Sequence, residues 1–338
     1  MTFYCSLLIV LFSKSLEKFF FLLIHTEKIL IRELKIRFGI RNKEGATIKQ
    51  DSFRIIVKKK LAQNNMTVPR NRPMAPFGTI IKSRIKQPQF YWFIGHFLTI
   101  FNFIQFHLSI TSKQNQLSCY RRSLFYISVT YAIVLYQFFK SDQLKFNFTL
   151  LRQEMKKLDN LQYFAMLFIL FLLSQFNIII SGSLYSPVIF SIFHFLNYFK
   201  ENLLPFLPLI PLNLKNLLNS KITVFIQNYN GFFLQMAQVF EIICGLRVGL
   251  FLVPFNFFLL LVRRANVSFE VVGTMLAGLT YVWFFKLRYL QSESMRQIFK
   301  QYVLRLDAYV SRTLPPYCSR LWNGYKNFVM TVFWKIPV

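Results

Sequence analysis

General acid–base chemistry needs a donor and an acceptor within reach of each other, and a 338-residue chain with four histidines offers few candidates. None of His25, His96, His107 and His194 opens an H-x4-D pattern of the kind a lipid acyltransferase would carry. His96 and His107 lie eleven residues apart near one helix face, without a neighbouring carboxylate or cysteine. Hydrogen bonding between helices is the commoner use of such groups. The cysteines, Cys5, Cys119, Cys244 and Cys318, are scattered and form no C-x-x-C pair, so neither a disulfide framework nor a zinc site is indicated. No G-x-G-x-x-G or P-loop sequence occurs. The chain therefore reads as a non-enzyme, with no catalytic residue, cofactor or metal ligand. Two charges in apolar surroundings remain, Glu241 and Arg247. Intramembrane charges are functional candidates by default. Both lie near the end of an apolar run, so an interfacial anchor is expected, with Arg247 snorkelling to the headgroups.

The elements that carry these residues are membrane elements. Hydrophobic residues make up 54% of the chain and charged residues only 16%, against about 25% charged in a soluble domain. The net charge of +28 flanks apolar runs instead of forming one basic face. That is the membrane pattern and not that of a nucleic-acid binder. The expected class is an all-α polytopic membrane protein with helical hairpins. Residues 1–65 form a basic extension, with Met66 and Met74 as alternative starts. Residues 66–89 form a basic, Pro-rich approach, 90–290 a multi-pass domain and 291–338 a cytosolic tail.

Six apolar runs are candidate spans: Phe90–Ile110, Ser123–Phe139, Leu161–Ile180, Pro187–Phe199, Leu246–Val262 and Phe269–Phe285. A full span needs about 20 residues, so some short runs are candidates for re-entrant or interfacial segments. The Ser181-Gly182-Ser183 turn predicts an uncharged helical hairpin. Pro205, Pro208 and Pro211 forbid a regular helix until about Lys221. Lys and Arg in the connections place both termini in the cytosol, although the 113–122 and 263–268 loops carry positive charge on the other side. Asn147 and Asn266 lie in glycosylation sequons, and only Asn266 would be lumenal, close to the bilayer. Gly245 and Gly249, and Gly273 and Ala277, have the small-xxx-small spacing of close helix packing.

The tail carries two amphipathic segments separated by Pro315-Pro316. The first aligns Phe299, Val303, Leu306 and Val310. The second aligns Leu321, Trp322, Tyr325, Phe328 and Val332, with Val329 and Phe333, and Arg320, Lys326 and Lys335 supply charge. Such helices can lie in the interface with the apolar face among acyl chains. An apolar stripe looks the same when it packs on protein, so both readings are open, separately or together.

The order of Tyr120-Arg121-Arg122-Ser123-Leu124 opening a helix, Ser186-Pro187-Val188, Ser191-Ile192-Phe193-His194, Phe240-Glu241-Ile242 and Phe285-Lys286-Leu287-Arg288-Tyr289 resembles the transmembrane protein 33 family. Phe93-Ile94-Gly95-His96-Phe97-Leu98 and Asn102-Phe103-Ile104-Gln105 look like its fungal, pore-membrane branch. The resemblance covers roughly residues 90–335. It implies residence in the endoplasmic reticulum and nuclear envelope. It also implies partners among reticulon-like membrane-shaping proteins and nuclear pore components, and a role in membrane shaping and pore assembly or distribution. A multi-pass enzyme or a transporter is the alternative, although no internal repeat of the transporter kind is visible.

Overall fold

A computed structural model of the chain describes residues 77–337 apart from 110, 146, 209, 263–267 and 314. The expectations for residues 1–65, for Pro69, Pro73 and Pro76, for Arg263 and Arg264, and for the Asn266 sequon lie outside the described residues.

Local chemistry sets the helix boundaries. A short α1 (Phe77–Ile85) precedes α2 (Pro88–Leu108), where Pro88 occupies the first turn and gives up no needed N–H. The Ser112 side chain caps α3 (Lys113–Lys140) by accepting from the Asn115 N–H. The helix thus starts seven residues before Tyr120, and Tyr120 to Leu124 sit two turns inside it instead of opening it. Asn147 caps the short α4 (Phe148–Glu154). Helix α5 (Asp159–Ser174) is shorter than its apolar run, because residues 175–184 leave the helical path. Helix α6 (Tyr185–Tyr198) ends in a π-helical turn, Phe199–Leu203, and a 3-10 turn, Leu204–Phe206, where the prolines begin.

Immediately after Pro211 the chain resumes as α7 (Leu212–Arg247), nine residues before the expected start at Lys221. The prolines exhaust their effect at Pro211 itself, since proline at a helix start costs nothing. The apolar run Leu246–Val262 is not a separate element either. Helix α7 runs through a π-helical segment, Val248–Leu252, into α8 (Val253–Val262). Helix α9 (Phe269–Gln291) is followed by α10 (Glu293–Thr313) and, after Pro315, α11 (Pro316–Lys335). The described residues contain no strand, and the chain is an all-α membrane protein. By length and hydropathy, Lys113–Lys140 and the continuous Leu212–Val262 rod can each cross a bilayer, and Asp159–Ser174 is a shorter apolar helix.

Six helices close into a ring: α3 packs on α2, α2 on α6, α6 on α7, α7 and its π segment on α9, α9 on α5, and α5 on α3. Ring contacts Phe93–Tyr198 and His107–Tyr185 set α2 and α6 antiparallel. The core between them is aromatic and aliphatic, with Tyr120, Leu124, Ile127, Met166, Leu167, Ile180 and Phe284 buried. Several polar side chains on apolar helices bond a carbonyl of the preceding turn, which satisfies them without another helix. Thr99 donates to the Gly95 carbonyl, Asn102 to Leu98, and Thr280 to Leu276. His96 bonds Ser191 across α2 and α6 at 2.9 Å, so it is a helix–helix hydrogen bond, whereas His107 is exposed and touches Phe103 and Tyr185. The tail helices pack outside the ring, α10 on α7 and α9, and α11 on α10 and the π segment.

Candidate functional site

Four ring helices deliver charged and hydroxyl groups to one buried point. Glu241, on α7, is only 1% exposed. One of its carboxylate oxygens accepts from Ser186 at the start of α6, at 2.6 Å, and from the Tyr163 hydroxyl on α5. The other accepts from Arg288 on α9 at 3.3 Å. Arg288 also reaches Asp159, the first residue of α5, at 2.9 Å, and lies over the Tyr163 ring. Rings of Tyr131, Phe190 and Phe284 pack around Tyr163. Glu241 is therefore no interfacial anchor: it sits in mid-helix, and its charge is neutralised across the ring.

A second constellation holds the turn between α5 and α6. Gly182 takes a φ of +102°, and Ile178, Ile180, Ser183 and Leu184 are buried. Irregular backbone survives at such depth only where its polar groups find partners. The Tyr120 hydroxyl serves the Ile180 backbone and lies 3.1 Å from the Ser183 hydroxyl. Arg121 donates to the Ser174 carbonyl at 2.7 Å and to Asn177, closing the end of α5. Arg247 donates to the Ser181 carbonyl, which ties the α7–α8 rod to this turn. A turn without charges of its own is thus clamped by two arginines from neighbouring helices, and Arg121 is not a free loop charge.

The small residues mark close approaches. A Cβ on Gly245 would stand 2.8 Å from the Phe285 ring, and one on Gly273 would run into the Ile178 side chain. Gly249 faces Val282 at ordinary contact distance, and Ala277 is fully buried.

In the tail, Leu306 and Val310 of α10 are buried with Met295 and Tyr302, while Phe299 and Val303 are half-buried. Helix α11 is split. Trp322, Tyr325, Lys326, Val329 and Phe333 turn inward: Trp322 and Lys326 both donate to Asp307, at 2.8 and 2.7 Å, and Tyr325 donates to the Leu250 carbonyl in the π segment. Burial pushes the Tyr325 hydroxyl up to about 12, so it keeps its proton for that bond at neutral pH. Lys286 of α9 donates to the Trp334 and Ile336 carbonyls at 2.9 and 2.7 Å, capping the end of α11. Tyr317, Leu321, Phe328 and Val332 line the other side and are exposed, Leu321 at 58% and Phe328 at 63%, with Arg320 and Lys335 beside them.

The sequence profile of the family described as Transmembrane protein 33/Nucleoporin POM33 matches residues 74–333. The chain belongs to this family. Among curated proteins it is similar to Tetra-spanning protein 1 of Schizosaccharomyces pombe, 26% identical over 77% of this chain and 90% of that one. It is also similar to Nucleoporin POM33 of Chaetomium thermophilum, 24% identical over 71% and 83%. The Pore membrane protein of 33 kDa of Saccharomyces cerevisiae is 24% identical over 71% of this chain and 82% of its own length. No solved structure matches.

The segments that carry the family resemblance meet in space. Ser186, Glu241 and Arg288, one from each of three such segments, are direct neighbours in the buried cluster. Tyr120 and Arg121 build the turn clamp, and Lys286 holds the tail. In the sequence these residues stand far apart, and their order does not show that they meet. The available signal was the presence of opposite charges, Glu241 and Arg288, at the ends of two consecutive apolar runs.

Proposed function

We propose that this family member is a non-enzymatic organiser of endoplasmic reticulum and nuclear envelope membrane, acting at nuclear pores through membrane shaping. The observation that carries the reading is the apolar stripe of α11. A helix fixed to the end of α9 by Lys286 still offers Tyr317, Leu321, Phe328 and Val332 outward, bordered by Arg320 and Lys335. An apolar face with basic flanks suits the interface of an anionic leaflet. The names of two relatives, a nucleoporin and a pore membrane protein, support the pore location. Reticulon-like proteins and nuclear pore components are the partners this role would use.

In this topology both termini are cytosolic. Helices α2, α3, the α7–α8 rod and α9 cross the bilayer. Helices α5 and α6, of 16 and 14 residues, reach only about 21–24 Å at 1.5 Å per residue, less than a hydrocarbon core of about 30 Å. They dip in and return, with their buried turn held by Tyr120, Arg121 and Arg247. The name of the fission-yeast relative, Tetra-spanning protein 1, gives that protein four spans. Full crossing by α5 and α6 would make six and leave both termini on the same side.

The cellular test is expression of the fluorescently tagged full chain in Saccharomyces cerevisiae lacking its pore membrane protein of 33 kDa. Punctate nuclear-rim signal coincident with a pore marker is expected, with loss of that enrichment on Leu321→Asp with Phe328→Asp. Uniform reticulum signal for the unaltered chain would contradict the pore assignment.

A further inference from the structure

Between the ring and the tail lies a groove of about 480 Å³, within the size range of small-ligand sites. Its floor is apolar: Leu246 and Leu250 from the α7–α8 rod, with Phe299, Val303 and Leu306 from α10. Three cations line it, Arg296, Lys300 and Lys326, against a single carboxylate, Glu293. Their states differ. Lys326 is neutralised by Asp307. Arg296 spends one terminal nitrogen on the Tyr289 and Leu290 carbonyls. Lys300 is exposed and has no ion pair among the described residues. Glu293 faces Gln297 at 3.5 Å.

We infer that this groove binds one anionic phospholipid, its net-negative headgroup, phosphate and carboxylate together, on Lys300 and the remaining donors of Arg296, and an acyl chain along Leu250, Val303 and Leu306. Charge and continuity select that occupant. The rim carries excess positive charge beside a long apolar floor, which fits a headgroup and tail together. Beyond Leu250 the same rod exposes Phe255, Phe257, Phe258 and Leu261 and is long and apolar enough to cross a bilayer. A lipid can therefore enter from the surface that faces acyl chains. Bound there, it fills the space between α7, α10 and α11 and braces the helix that carries the outward stripe. The inference rests on the membrane-shaping reading for its purpose, but the site itself is independent of the stripe.

The test is native mass spectrometry of the detergent-purified full chain with phosphatidylserine or phosphatidylcholine added. Retention of a single phosphatidylserine, preferred over phosphatidylcholine by about tenfold or more, is expected from one to two charge-assisted contacts. Lys300→Glu, on an exposed side chain, should abolish the preference without unfolding the protein. Val303→Trp should lower retention of the lipid by filling the groove. Leu321→Asp with Phe328→Asp should leave retention unchanged even if it ends membrane shaping, which separates the two ideas. Equal retention of both lipids by wild type and Lys300→Glu would overturn the site. So would displacement of the lipid by inorganic phosphate at matched concentration, which would make it a phosphate site.

Discussion

Glu241 and Arg288 show what a single residue can decide in this protein. Both charges have left water, and a buried pair of this kind fixes geometry more than it adds stability. Removing Arg288 strands Glu241, and removing Glu241 leaves the buried Arg288 only the half-exposed Asp159 as counter-charge. Glu241→Ala should therefore destabilise the detergent-solubilised protein by about 3–5 kcal/mol, read as a drop in its thermal transition. Pairing it with Arg288→Met should recover much of that loss, because no lone charge remains; a double variant as unstable as the single one would assign the loss to packing. At this scale the sequence was partly legible. The types and order of Tyr120, Ser186, Glu241 and Arg288 were visible, and so was the helix–helix role of His96. Their convergence was hidden, since it depends on which helices close the ring, and one chain contains no signal of that pairing.

Elements are positioned by small residues and capped ends. Gly245 lies under the Phe285 ring, whereas Gly249 has room. Gly245→Ala should cost about 1–3 kcal/mol through overpacking. Gly249→Ala should be neutral or stabilising by up to about 1 kcal/mol, as expected for alanine replacing glycine in a helix. Thermal scans of the two variants side by side check the contrast. Lys286 ties α11 to α9 through two carbonyls. Lys286→Met should leave those carbonyls open, at about 1.5–3 kcal/mol for the lost charged bonds, and limited proteolysis should then cut after residue 313 faster while the ring stays intact. The helical class and most of the apolar helices were legible from hydropathy. The continuity of Leu212–Val262 was not, because a π-helical segment absorbs the irregularity that looks like a boundary, and the start of α3 was obscured by its polar first two turns.

For the whole molecule the central point is that α11 has two apolar sides with different partners. Its sequence stripe is too broad for one contact: Trp322, Tyr325 and Phe333 meet protein, and Leu321, Phe328 and Val332 meet whatever surrounds it. Periodicity alone reveals the breadth of the stripe and cannot divide it, because lipid and protein select the same residues. A helix inserted shallowly in one leaflet favours curvature only if it binds curved membrane better than flat. The most direct measurement is sorting of the labelled full chain between a giant vesicle and a narrow membrane tether pulled from it. Enrichment on the tether that disappears with Leu321→Asp and Phe328→Asp is the predicted result. Equal density on tether and vesicle for the unaltered chain, or enrichment that survives the double substitution, would contradict the account.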